Sequence, residues 1–297
     1  DISMNKGIYP ALLTLFDKNG NPDTGAIAKL TDHVINNCCA DGLYVCGSTG
    51  ENFLMSHSQK KEVLSSVAKA ANGRVSLIAH IGSNVAEEVY ELASLAADSG
   101  YNAVSAVTPF YYKFTNSEVV EYYLRLADKS KLPLVVYNIP VLTSVSLSMA
   151  DFEKLFSHGN IIGVKNSAQD YFFLERLRTA FPDKTIFSGV DEALLSAAVL
   201  GTDGAIGSTY NVIGHWGKAV FENCRKNDIP SALVAQKKLN TVTDMLLKAG
   251  IYQTLKEVLA LYGIESCGCR HPFAETTDAQ RAAARRIFDK INELNNR

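Results

Sequence analysis

Val75-Ser-Leu-Ile-Ala-His-Ile81 is an apolar run of strand length, Asn84-Val-Ala-Glu87 opens a helical pattern that continues to Ser99, and Ala103-Val-Ser-Ala-Val107 is a second apolar run. Residues 75 to 107 therefore read as strand, helix, strand. Both runs are nearly continuous in Val, Ile, Leu and Ala, without the polar alternation of a half-exposed strand, so they suit a parallel sheet buried on both faces. The unit repeats in both directions. Further candidate strands are Ile8–Thr14, Gly42–Cys46, Leu134–Asn138, Ile161–Lys165, Thr185–Ser188 and Gly204–Gly207. Ser56-His-Ser-Gln59 and, less strictly, Asn84–Glu87 have the form of capping boxes, the first opening a helix to Ala71. Gly73, Gly100 and Gly201 stand where helix C-caps belong. About eight strand–helix units spaced roughly 20–35 residues apart are the signature of a (β/α)8 TIM barrel. A doubly wound open sheet is the competing arrangement, but its GxGxxG turn is missing from the sequence.

Beyond residue 225 the strand pattern ends and the chain reads as all helix: Ser231–Ala249, Ile251–Tyr262 and Thr277–Leu294, the last opened by Thr277-Asp-Ala-Gln280. No Pro/Gly/Ser-rich linker precedes these segments. The expectation is a catalytic barrel over 1–225 and a three-helix extension over 226–297 packed on it.

The 297 residues carry 29 Lys and Arg against 31 Asp and Glu, a net charge of -2, which lacks the basic footprint of a nucleic-acid binder. A hydrophobic share of 47% supports a large core and excludes disorder as the main state. No apolar run reaches the ~18 residues of a membrane span, and DISMNKGIYP has no signal-peptide core. These features point to a cytoplasmic protein with neither membrane nor nucleic-acid partner. Cys38, Cys39, Cys46, Cys224, Cys267 and Cys269 read as reduced thiols, with Cys38-Cys39 late in the first helix. Neither Cys267-Gly-Cys269 nor the histidines have metal-ligand spacing, so no metal is expected.

Barrel enzymes carry their chemistry at the C-terminal ends of strands. Lys165 closes the Ile161-Ile-Gly-Val run, which holds its stem in apolar surroundings with the amine at the mouth. Desolvation disfavours the ammonium form of such a lysine, as a Schiff-base nucleophile requires. A lysine that snorkels outward, or pairs with a carboxylate such as Asp191, is the structural alternative. Gly47-Ser48-Thr49-Gly50 combines small residues and hydroxyls suited to an anion, without the lysine of a P-loop. Tyr137 can relay a proton or be a satisfied core tyrosine, and Tyr111 and Tyr112 are equally open. Asp191-Glu192 can accept bonds from sugar hydroxyls or favour a helix N-terminus. Tyr44 reads as core.

Taken together, Gly47-Ser48-Thr49-Gly50-Glu51, Tyr137-Asn138-Ile139-Pro140 and Gly163-Val164-Lys165 resemble the signatures of the dihydrodipicolinate synthase / N-acetylneuraminate lyase family of pyruvate-dependent class I aldolases. The resemblance runs from Gly7-Ile-Tyr-Pro-Ala-Leu-Leu-Thr14 to Arg270-His-Pro-Phe273. It implies a barrel with a C-terminal helical segment, usually a homotetramer, with no metal or organic cofactor. In the synthase branch an arginine after the Tyr-Asn-x-Pro motif holds a second carboxylate. Leu142 stands there in this chain, so a partner with a free carboxylate is not expected.

The stretches Ser188-Gly-Val-Asp-Glu192 and Gly207-Ser-Thr-Tyr-Asn211 are similar to the sialic acid branch. That similarity gives Gly189, Asp191, Glu192 and Ser208 the grip on a polyol tail, with Ser167 standing where the family commonly has threonine. It implies that Lys165 forms the imine, Ser48 and Thr49 hold the carboxylate, and Tyr137 moves the proton. Tyr111 resembles the tyrosine that a neighbouring subunit inserts to complete a hydroxyl relay with Ser48 and Tyr137. The expected reaction is reversible cleavage of sialic acid to pyruvate and N-acetylmannosamine. Another pyruvate aldolase acting on a 2-keto-3-deoxy sugar acid, or a non-catalytic sugar-binding barrel, would share parts of this pattern.

Overall fold

The structure, a computed structural model, describes residues 4–296. Eight strands lie parallel in one sheet: β1 (Gly7–Pro10), β2 (Gly42–Val45), β3 (Ser76–His80), β4 (Ala103–Val107), β5 (Leu134–Asn138), β6 (Ile161–Asn166), β7 (Thr185–Ser188) and β8 (Gly204–Gly207). From β2 to β8 each strand pairs with the next, and β1 pairs with β8. The last seam is bridged where Ala11 meets Tyr44 and the Leu12 N–H donates to Tyr44 O at 2.9 Å. The result is the expected (β/α)8 barrel. The first strand is shorter than Ile8–Thr14. Past Pro10 the chain crosses to β2, and the Leu13 N–H is taken by the Asn211 side chain at 3.2 Å rather than by a strand.

Helices α1 (Thr24–Asn36), α2 (His57–Ala71), α3 (Ala86–Asp98) and α4 (Asn116–Lys129) follow the first four strands. The one-turn α5 (Pro140–Thr143) and α6 (Met149–Phe156) follow β5, and α7 (Tyr171–Ala180), α8 (Leu194–Val199) and α9 (Tyr210–Arg225) follow β6 to β8. The box at Ser56 forms, with Gln59 reaching back to the Ser56 N–H at 3.0 Å. The one at Asn84 does not. The N-cap of α3 is Val85, because Asn84 spends its amide on the backbone of Phe110 in two hydrogen bonds of 3.0 and 3.2 Å. Glu87 and Glu88 in the first turn still complement the helix dipole. Cys38 and Cys39 lie past the end of α1, not within it, and all six cysteines are free.

Strand parity divides the core in two. Tyr9, Tyr44, Ile78, Val135, Phe187 and Ile206 fill the barrel interior. Their neighbours, such as Ile8, Leu43, Leu77, Val136 and Ile186, pack outward against the helices. After α9 come α10 (Ile229–Ala249), α11 (Ile251–Leu261) and α12 (Asp278–Asn295), the C-terminal helical extension. Among the described residues no helix is long and apolar enough to cross a membrane.

A buried ion pair ties that extension to the barrel mouth. Lys256 of α11 donates to Glu51 at 2.6 Å, with both side chains almost wholly buried. The other oxygen of Glu51 accepts the Arg270 N–H at 2.6 Å, and Lys256 also donates to Gly268 O at 2.9 Å. Removing one partner strands a buried charge, which costs about 3–5 kcal/mol. Urea unfolding of Lys256→Met should show a loss of that size, and Glu51→Gln added to it should recover a large part.

Candidate active site

Parity that turns Val135 into the barrel also turns Tyr137 inward, at the C-terminal end of β5, and the register sets Tyr137 directly beside Lys165 of β6. Lys165 is 5% exposed. Its Nζ stands 3.9 Å from the centroid of the Tyr137 ring and 4.6 Å from that of Tyr44. Among the described residues no carboxylate comes within ion-pair distance of it, so the amine is not spent in a structural salt bridge. Burial raises the Tyr137 phenol. The charge of Lys165 and the neighbouring donors of Ser48, Lys165 and Ser167 outweigh it and hold the phenol below its ordinary value. Its proton is therefore easier to move than that of a core tyrosine such as Tyr44, which burial drives the other way.

Above this pair lies the 47–50 loop, bracketed by two non-glycine residues in the left-handed region, Cys46 at φ 62° and Glu51 at φ 58°. Such residues need an outside hold. Glu51 has its ion pair, and the Cys46 carbonyl accepts from Asn52 Nδ2 at 2.8 Å and from the His80 ring at 2.9 Å. Thr14 Oγ1 donates to Gly50 O at 2.7 Å. A Cβ on Gly47 would lie 2.7 Å from the Tyr44 ring. The backbone N–H groups of Ser48 and Thr49 have no acceptor among the described residues, which leaves them available to an anion, while the two hydroxyls face Tyr137 and Tyr252.

The opposite wall comes from the ends of β6, β7 and β8. A Cβ on Gly189 would come 1.8 Å from Ser167 Oγ, and one on Gly207 would come 1.7 Å from Asp191 Oδ1. Both glycines make room for a polar neighbour. Asp191 Oδ2 accepts from Thr209 Oγ1 at 2.6 Å and from the Thr209 N–H at 3.0 Å. Burial pushes its carboxyl up to about 6, against the pull of the Thr209 donors, with Glu192 raising it further and Lys165 lowering it. Ser167 Oγ is buried beside the Tyr137 phenol.

Ser48, Thr49, Tyr137, Lys165, Ser167, Gly189, Asp191, Glu192 and Ser208 all line one cavity of about 190 Å³. A larger, mostly apolar cavity of about 580 Å³ adjoins it and shares Ser48, Ile139, Leu142 and Tyr252. Tyr111 lines neither cavity. It is 86% exposed, on the loop after β4, at φ 74°. Tyr252, from the start of α11, and Thr209 are site residues that sequence reading missed; no local pattern marks a helix of the extension as part of a barrel mouth. Tyr44, assigned to the core, is core and also faces the amine. Among the described residues no group of three or more His, Cys, Asp or Glu is placed to hold a metal. An amine without a counter-ion, free N–H donors and a tuned phenol can together form an imine with a keto acid and move a proton beside it.

This fold and site define a class I aldolase of the barrel type, and the comparisons agree. The model of the dihydrodipicolinate synthetase family matches residues 4–291, and the chain belongs to that family. It is 46% identical to an N-acetylneuraminate lyase of Clostridium perfringens over 96% of this chain and 99% of that one. Among solved structures it is similar to CdNal of Clostridium difficile in complex with mannosamine, with 44% identity, a TM-score of 0.95 and coverage of 97% and 99%. It is also similar to an N-acetylneuraminate lyase of Fusobacterium nucleatum complexed with pyruvate, with 41% identity, a TM-score of 0.91 and 96% of each chain covered.

The Asp191 carboxyl titrates near 6 in the folded chain and near 4 in an unfolded one, so ionising it destabilises the fold as pH rises through that window. Asp191→Asn should therefore unfold later in urea at pH 7, by on the order of 2–3 kcal/mol. The gain should disappear below pH 4, where the acid is protonated in both states.

Proposed function

We propose that this enzyme cleaves N-acetylneuraminate reversibly to pyruvate and N-acetylmannosamine through an imine on Lys165. The observation that carries the reading is a buried amine, in no ion pair among the described residues, that shares one cavity with the Tyr137 phenol and the free backbone N–H groups of Ser48 and Thr49. Neutral Lys165 attacks the C2 ketone of the open-chain sugar acid, and loss of water gives an iminium. The Ser48–Thr49 loop holds the adjacent carboxylate. Tyr137 takes the C4 hydroxyl proton while passing its own phenolic proton to the substrate carboxylate as the C3–C4 bond breaks, and the bonding electrons pass into the iminium to form an enamine. The aldehyde sugar leaves, C3 is protonated, and hydrolysis of the imine frees pyruvate and the amine.

Gly189, Asp191, Glu192, Ser208 and Ser167 bond the polyol. A substrate without those hydroxyls leaves the buried Asp191 carboxyl and Ser167 hydroxyl underpaired and is rejected. The enzyme works as a cytoplasmic homotetramer in which the exposed Tyr111 completes a neighbour's relay through Ser48 and Tyr137. Residues 1–225 form the catalytic barrel and residues 226–297 the extension, which lends Tyr252 to the mouth. No metal or organic cofactor takes part.

Borohydride reduction with pyruvate, followed by peptide mapping, should place a pyruvyl adduct on Lys165. A folded protein that gives no adduct overturns the reading. Lys165→Ala should lose all turnover. Tyr137→Phe should keep the adduct yet lose about 10²–10⁴ in kcat, and Asp191→Asn should raise the sugar KM about tenfold or more.

A further inference from the structure

His80 stands outside the chemistry described so far. It ends β3, is 1% exposed, and is surrounded by rings: Tyr137 at 5.9 Å, Tyr44 at 6.0 Å and Phe53 at 6.1 Å between centroids. Both of its nitrogens are engaged. Nε2 accepts the Val107 N–H at 3.0 Å, and Nδ1 lies 2.9 Å from the Cys46 carbonyl. An N–H can only donate and a carbonyl can only accept, so these two backbone groups fix the tautomer with its hydrogen on Nδ1. Asn52 Nδ2, 3.3 Å from Nδ1, is then a second donor converging on the same carbonyl. A Cβ on Gly82 would come 2.8 Å from Nε2, so the neighbouring backbone also leaves room for the ring.

Cys46 is the left-handed residue at which the chain leaves β2 and turns its carbonyl out of the strand ladder. The orientation of that peptide sets the direction of the next residues, including the free N–H groups of Ser48 and Thr49. We infer that His80 is a positioning residue for the keto acid: by donating to the Cys46 carbonyl it aims the 47–50 loop at the substrate carboxylate. Its other nitrogen anchors the end of β4, so the two loop bases are held at a fixed separation by one imidazole. Burial keeps the ring neutral, with its titration pushed down to about 3, so this hold does not vary over working pH. The inference rests on the reading that the Ser48–Thr49 loop binds the carboxylate.

The test compares three variants in the condensation direction, where pyruvate and the sugar have separate KM values. His80→Phe keeps the ring packing and loses both hydrogen bonds. His80→Asn places an amide N–H near the Nδ1 position, and His80→Gln places its amide near Nε2. His80→Phe should raise the pyruvate KM about tenfold, the size of one lost hydrogen bond, and leave the sugar KM within about twofold. His80→Asn should restore the pyruvate KM to within about threefold of the parent, and His80→Gln should not. An unchanged pyruvate KM in His80→Phe, or equal rises in both KM values, would overturn the inference. So would a His80→Asn no better than His80→Gln, a comparison that stands even if the phenylalanine variant does not fold. Pyruvate trapping of the parent enzyme on Lys165 is the control. If it fails, the imine reading itself is wrong; if it succeeds and the KM values are flat, only the role of His80 is.

Discussion

The site depends on one buried charge pair. Glu51 closes the 47–50 loop in a left-handed backbone conformation, and its carboxylate, cut off from water, must be neutralised by something fixed. Lys256 from α11 does this, and the Arg270 N–H takes the second oxygen. The loop is thus defined on one side by the barrel, through Cys46 and Gly50, and on the other by the extension. A buried pair is weak support for stability in itself, since two apolar residues could pack as well. What it provides here is direction: it fixes where the 47–50 backbone points, and it brings α11 with Tyr252 to the rim of the cavity.

The two walls of the cavity follow opposite physical policies. Around Lys165 the structure presents aromatic faces, and among the described residues no carboxylate is near enough to form an ion pair with the nitrogen. Around Asp191 it buries an acid whose ionised form burial penalises, and partly offsets this with Thr209. The first arrangement keeps an amine out of ion pairs. The second maintains an acceptor at a cost to the fold, a common form of trade between stability and activity. Gly189 and Gly207 serve the second arrangement by omission, since any side chain there would overlap Ser167 or Asp191.

Much of this was legible in the sequence where the signal is local. Apolar runs placed the strands, and four of them, Ala103–Val107, Leu134–Asn138, Thr185–Ser188 and Gly204–Gly207, match at both ends. The C-terminal strand ends then brought Tyr137 and Lys165 to the mouth together. What was not legible involves groups whose partner lies far along the chain. Asn84 has the chemistry of a helix cap, yet the Phe110 backbone uses it instead. His80 looks like one more residue of an apolar strand, and only the positions of Cys46 and Val107 give it two partners. Tyr252 and Lys256 sit in an amphipathic helix that nothing local connects to the barrel. Periodicity reports which face a residue occupies and is silent about what waits there.

The distance between Glu51 and Lys256, 205 residues along the chain, also matters during synthesis. At ~5–20 residues per second, Glu51 is made roughly 10–40 s before its counter-ion. Closure of the sheet is delayed too, because β1 must wait for β8. A nascent chain that already contains Lys165, Tyr137 and the whole Gly-Ser-Thr-Gly segment still lacks the group that pairs with Glu51 and sets the 47–50 loop. The parts of the site are therefore translated early and assembled late, so reactive competence arises only when almost the entire polypeptide is available to fold.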